Sequence, residues 1–303
     1  MRKSLHDFMQ VGIVHFMAYP YATSSEEYLC TLSSIIEDEF FSAVEIKSAP
    51  DKETAERAQR LLESSGVIVG FSGHPALIGN QADLNSMDQE ERKRAVDLLK
   101  GAVDEAYQFG AKNLAFLSGK DPGPEDRERA IGYLIESIQE VCQYARSKGD
   151  LEILLEPFDH QTDFRCLIGP SDLAVEVARE VRKMDPSFGL MVDLSHLPML
   201  GESPKKALTT TRNYLKHAHM GNCLIGNSND PLYGDKHPRF GYPGSEIDVP
   251  ELAEYLRTLL DIGYLGEGKN RTLSFEIKPA PGESSQAIIA QAKRTLLAAW
   301  QQI

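Results

Sequence analysis

A single (β/α)8 TIM barrel is the fold class this sequence predicts, and three observations carry the prediction. Short β-branched runs alternate with longer amphipathic segments over the 303 residues, as in successive βαβ units around a parallel sheet. About eight runs and about eight helical segments suit one barrel domain, residues 1–303, with no Pro/Ser-rich linker or internal repeat to divide it. No GxGxxG follows the first run, so the fingerprint of a dinucleotide-binding open sheet is missing.

In chain order, VGIVHF (Val11–Phe16), AVEIK (Ala43–Lys47), VIVGFS (Val67–Ser72) and NLAFLS (Asn113–Ser118) are the first four expected strands. LEILLE (Leu151–Glu156), FGLMVD (Phe188–Asp193), YLKHAH (Tyr214–His219) and TLSFEI (Thr272–Ile277) complete the set. Apolar residues recur at helical spacing in Ser24–Phe40, Asp51–Ser65, Asp88–Phe109, Pro124–Lys148, Pro170–Met184, Val249–Leu260 and Ser284–Gln301, and more weakly over Ser203–Arg212. Several begin on Ser, Asp or Pro, which cap or tolerate the unpaired first amides of a helix. Gly66, Gly110 and Gly149 follow the second, third and fourth helices, where a left-handed cap is expected.

A hydrophobic content of 42% gives ample material for a core and argues against disorder. The formal charge of -13 and a pI near 5.1 argue against a surface that neutralises phosphates, so nucleic acid is not an expected partner. No window approaches the roughly 20 apolar residues of a membrane span. The N-terminus also lacks the apolar region of a signal peptide, so the chain is read as cytoplasmic and free of membranes. Cys30, Cys142, Cys166 and Cys223 have no CxxC spacing, which suggests reduced thiols, not a zinc knuckle or a disulfide scaffold.

In a barrel of this kind chemistry collects at the C-terminal ends of the strands. Ionisable residues close otherwise apolar strands here: Glu156 in ILLEP, Asp193 in LMVDLSH and Glu276 in LSFEI, while strand two carries Glu45 and strand three leads to His74. Burial of such groups is costly, and a metal ion offsets the cost. Glu156, Asp193, His219 and Glu276 fall on four consecutive strands and form a mostly oxygen ligand set. That set suits one divalent ion, Mn²⁺ foremost, with Mg²⁺, Co²⁺ or Zn²⁺ as alternatives. His217, two residues before His219, shares its face, so either histidine could be the ligand; the strand-end position favours His219, with His217 packing or bonding behind it.

The segment Lys216–Gly241 gathers three of the eight histidines with Asp235 and Arg239. EP after strand five, DLSH at strand six, HxH at strand seven and FE at strand eight together resemble the xylose isomerase-like TIM-barrel superfamily of sugar isomerases, ketose 3-epimerases and abasic-site endonucleases. The resemblance implies that Glu156, Asp193, His219 and Glu276 hold one metal, that the two glutamates act as acid and base, and that His196 contacts substrate hydroxyls. GDKHPRFG resembles an endonuclease element that binds a further zinc through Asp235 and His237, and His74 matches another endonuclease ligand. The histidine expected at the end of strand four is replaced by Leu117, which breaks the three-zinc cluster. His74, His217, Asp235 and Arg239 then become candidates for substrate binding, and His237 for acid/base work.

The expected chemistry is removal of a proton alpha to a metal-bound sugar carbonyl, with Glu156 and Glu276 on opposite faces. The substrate is expected to be a small sugar or glycoside. An alternative is carbon–carbon cleavage of 3-oxo-glycosides, because the segment also resembles α subunits of C-glycoside deglycosidases, which work with a small β-rich partner. Asp159, His160 and Asp163 in EPFDHQTDF are candidate acids or bases for that reaction. A homo-oligomer, or a metal-stabilised subunit serving a catalytic partner, are further readings.

Overall fold

All eight expected runs form strands: β1 (Gln10–Ile13), β2 (Ala43–Ile46), β3 (Ile68–Ser72), β4 (Asn113–Leu117), β5 (Glu152–Glu156), β6 (Gly189–Asp193), β7 (Leu215–Gly221) and β8 (Thr272–Glu276). This is a computed structural model, and it describes residues 4–303; the first three residues of the expected domain lie outside that span. The strands make one parallel sheet in the order β1-β8-β7-β6-β5-β4-β3-β2. At the remaining seam a parallel bridge joins Val14 to Glu45, and the Ser42 amide donates to the Val11 carbonyl at 2.9 Å, so β1 meets β2 and the sheet curls into a barrel.

The outer helices are α2 (Ser25–Ile36), α3 (Lys52–Ser65), α5 (Gln89–Gln108), α6 (Arg127–Arg146), α7 (Ser171–Val181), α9 (Pro204–Thr211), α10 (Val249–Asp261) and α11 (Ser285–Trp300). Their starts follow the expected chemistry. Ser24 and Glu27 form a capping box on α2, Asp51 accepts from the Thr54 amide, and Asp88 accepts from the Glu90 and Glu91 amides. Gly66 and Gly110 adopt the left-handed conformation, with φ of 70° and 69°. Gly149 does not; a Cβ there would stand 2.9 Å from the Tyr107 ring, so this glycine answers a close approach. The helix expected over Ser24–Phe40 ends at Ile36, and the one expected from Pro124 begins only at Arg127, after a turn at Gly123.

Three short helices were not anticipated: α1 (His15–Ala18), α4 (His74–Gly79) and α8 (His196–Leu200). Each follows the C-terminal end of a strand and begins on a histidine. The first overturns the expected extension of strand one to Phe16: beyond Val14 the chain turns, and buried His15 Nε2 pairs with Thr31 Oγ1 of α2 at 2.8 Å.

One irregularity sets the phase of β7. Leu190 pairs with Leu215 but Met191 pairs with His217, so Lys216 is an extra residue in the strand. Lys216 points inward, where it bonds Glu152 at 2.7 Å and occupies the space a Cβ on Gly189 would need, 2.2 Å from Lys216 Cγ. His217 and His219 then also face inward, whereas uninterrupted alternation after an inward Lys216 would turn both outward.

The barrel interior is tight at Gly12, where an added Cβ would lie 2.3 Å from Ser274 Oγ. That hydroxyl has no hydrogen-bond partner among the described residues. Gly12→Ala is therefore expected to cost about 1–3 kcal/mol by overpacking, and Ser274→Ala in the same chain to recover most of it. Urea unfolding of the two single variants and the double variant checks this; additive effects would contradict it.

Candidate metal centre

Four neighbouring strands deliver four ionisable side chains to one place. Glu156 and Asp193 end β5 and β6, Glu276 ends β8, and His219 pairs with Asp193 across the β6–β7 ladder. One ligand atom from each of Glu156, Asp193, His219 and Glu276 lies within 4.8 Å of the other three. Gly221 makes room for this arrangement, since a Cβ there would stand 2.9 Å from Asp193 Oδ1.

The donor atoms fit a cation. Among the described residues, Glu156 Oε1 and Asp193 Oδ2 are buried without a hydrogen-bond partner, the condition a carboxylate tolerates when a positive charge sits against it. His219 Nδ1 stands 2.7 Å from Glu276 Oε2, and its Nε2 stands 2.9 Å from Glu45 Oε2. A carboxylate on the second nitrogen is what fixes the tautomer and orientation of a ligating imidazole.

Glu45 is the important residue without a role in the sequence reading. It is 5% exposed and also accepts from His217 Nε2 at 2.7 Å. The available signal was a carboxylate inside the apolar run AVEIK, which needs a buried partner. His217 is spent on Glu45, lies 2% exposed and does not line the cavity, so it sits beneath the centre, as expected of the histidine behind the ligand and unlike a residue that contacts substrate.

A cavity of about 430 Å³ opens above these groups, and Glu45, Glu156, His219, Glu276, Asp235 and His237 all reach it. His74 lines it too, with Nε2 2.9 Å from Glu156 Oε2 and Nδ1 2.9 Å from Ser72 Oγ. His196 does not: it is 1% exposed, bonded to the Pro157 carbonyl at 3.1 Å, and 3.3 Å from Asp235 Oδ1. His237 Nε2 approaches the same Asp235 oxygen at 2.9 Å from a left-handed backbone, φ 50°. Asp193, His196 and His237 thus form a second potential ligand group beside the first.

Two expectations from the loops are corrected. Arg239 turns away from the cavity to Glu283 Oε1 at 2.9 Å and to the Gly241 carbonyl. Asp159 accepts five successive amides, Gln161 to Arg165, so its carboxylate is occupied in holding a loop. His160 bonds the Cys166 carbonyl and Asp163 bonds Lys236, and none of the three lines the cavity.

The charges are strongly biased. Burial alone raises Asp193, but His196, His237, His219 and the Ser195 amide outweigh it and hold the carboxyl below its usual range. Burial raises Glu276, and His237 and His219 only partly counter this, with Asp193 adding to the rise. Against burial, Glu45 and Glu276 hold the His219 ring well above ordinary imidazole, and Glu276 and Asp235 hold His237 at about 9.

The sequence profile described as xylose isomerase-like TIM barrel matches residues 38–295, and the chain belongs to that family. No curated protein sequence matches it. Among solved structures it resembles an L-ribulose 3-epimerase at 17% identity and TM-score 0.72, covering 97% of this chain and 96% of that one. A D-tagatose 3-epimerase-like protein gives 18% identity and TM-score 0.71, covering 97% and 99%. The IolI protein with a zinc atom gives 16% identity and TM-score 0.72, covering 96% and 98%. At these identities the likeness shows the shared barrel.

Ligation through His219 needs the lone pair that its carboxylate neighbours keep protonated in the metal-free protein. Titration with Mn²⁺ near neutral pH is therefore expected to release on the order of one proton per ion, and affinity to fall as pH is lowered. Calorimetry in buffers of different ionisation enthalpy checks the release; heats independent of buffer would contradict it.

Proposed function

We propose that this protein is a divalent-metal-dependent enzyme of keto-sugars, of the isomerase or epimerase type, which removes and returns a proton on the carbon next to a carbonyl. One observation carries the reading: two carboxylates, Glu156 and Glu276, reach a single cavity from strands on either side of Asp193 and His219. A cation held only for structure has no need of such a pair. Two similar structures, an L-ribulose 3-epimerase and a D-tagatose 3-epimerase-like protein, support the same substrate class.

Glu156, Asp193, His219 and Glu276 would hold the ion, with Mn²⁺, Mg²⁺, Co²⁺ or Zn²⁺ all compatible with three carboxylates and an imidazole. When bound, it supplies Lewis-acid stabilisation of negative charge on the sugar's carbonyl and adjacent hydroxyl oxygens. Glu276, raised by burial toward working pH, is suited to take up and return a proton, and Glu156 serves the opposite face. His74 orients Glu156 through its 2.9 Å contact. The His237 cation, steadied by Asp235, presents a donor to a substrate hydroxyl. Phe16, Met17, Phe158 and Met191 supply apolar walls that exclude water from the reacting carbon.

The carbon–carbon lyase alternative would begin with the same deprotonation by Glu156 or Glu276, but Asp159, His160 and Asp163, the candidates for its extra acid or base, are used by the loop for its own structure. A DNA-cleaving role lacks the histidine at Leu117 and faces a net charge of -13.

Glu156→Gln and Glu276→Gln are each expected to lower deuterium uptake from D₂O into free ketoses by about 10²-fold or more, with Mn²⁺ present. Mass spectrometry of the recovered sugar reads this directly. Undiminished exchange in Glu276→Gln, with metal and sugar still bound, would overturn the proposal.

A further inference from the structure

The charges around the cavity are matched pair by pair, with one exception. Glu45, Glu156, Asp235 and Glu276 line it, and each stands against an imidazole. Lys236 lines it too but pairs with Asp163, and Arg239 nearby in the chain is taken by Glu283. Lys278 lines the same cavity from an exposed position at its rim, and among the described residues its amine has no hydrogen-bond or ion-pair partner.

The backbone fixes where this cation stands. The Lys278 amide donates to the His237 carbonyl at 2.7 Å, which ties the exit of β8 to the segment that carries Asp235 and His237. Lys278 follows Glu276 by two residues, a span of roughly 7 Å at most. The amine therefore belongs to the rim directly above one of the two glutamates that the proposed proton transfer uses. Beyond β1, on the other flank of the same side of the mouth, Lys47 follows β2 and lies 5.4 Å from the ring centroid of Phe16, a cavity wall. Burial lowers the pKa of Lys47, and no carboxylate acts in the opposite direction.

A chain of net charge -13 repels anions at long range, so an anionic substrate needs local cations to be held. A lysine amine offers three donors and no acceptor, and an oxyanion satisfies it better than a sugar hydroxyl does. We propose that Lys278 selects the substrate by charge: the keto-sugar carries a carboxylate or a phosphate on the end away from its carbonyl, and that anionic group pairs with Lys278 on the β8–β1 side of the mouth, with Lys47 adding positive charge beyond Phe16. The keto-sugar part of this statement rests on the function proposed above; the charge part rests on the unanswered amine in the cavity wall.

The test is direct binding to the Mg²⁺-loaded full chain, followed by ligand-detected NMR, with D-fructose, D-fructuronate and D-fructose 6-phosphate as probes. At least one charged sugar is expected to bind about fivefold or more tightly than D-fructose, and which one does so distinguishes carboxylate from phosphate. Lys278→Met and Lys278→Gln should each bring the charged sugars within about twofold of D-fructose. Lys278→Arg and Lys236→Met should keep the preference, the first because the charge remains and the second because Asp163 already answers that lysine. Equal binding of all three sugars by the wild type, or a preference that survives in folded Lys278→Met or Lys278→Gln, overturns the proposal. Deuterium exchange from D₂O into the same three sugars separates the two readings. A charge preference without exchange into any of them removes the keto-sugar reaction and leaves charge selection standing; exchange with equal binding does the reverse.

Discussion

Charge buried where strands end is the constraint on which this molecule depends. Carboxylates and imidazoles alternate around the barrel mouth: Glu45 serves His217 and His219, His219 reaches Glu276, Asp235 lies between His237 and His196, and Glu156 lies between His196 and His74. Each group lowers the desolvation cost of its neighbours, so removing one leaves another buried without compensation. The glycines at 70 and 221 follow from this constraint, because any side chain there would press on Glu45 or Asp193. Among the described residues the array still leaves Glu156 Oε1, Asp193 Oδ2 and Asp235 Oδ1 without a hydrogen-bond partner, and the first two, in the four-residue group, mark where positive charge would belong.

Much of this was legible in the sequence because it depends on local pattern. Apolar runs of strand length and Ser or Asp caps place the elements, and an acidic residue closing ILLE, LMVD or LSFE can only lie at the mouth of a barrel. What the sequence did not yield are the partners, which closure of the barrel decides. Glu45 meets His217 across 172 residues and Arg239 meets Glu283 across 44, distances over which no periodicity speaks. Asp159 misled for another reason: an aspartate that organises five backbone amides has the same letter as one that moves a proton, and only the loop's course separates them.

Membership of the family and the likeness to solved barrels establish the scaffold, and a scaffold of this type hosts many reactions. The specific chemistry has to come from the mouth. There Glu156 and Glu276 reach one cavity beside Asp193 and His219, and on the proposed reading the same pair would both hold a cation and handle a proton.

The topology has a consequence for the order of assembly. Glu276 ends β8, which is inserted between β1 and β7, so the oldest and youngest strands of the emerging chain are neighbours. Glu45 and His219, already synthesised, must wait for that strand before the sheet around them can close. Until then their charges stay hydrated, and dehydrating them becomes a late step that proceeds with closure of the β1–β8 seam. Closure of the sheet and assembly of the electrostatic centre both depend on the same last-made strand.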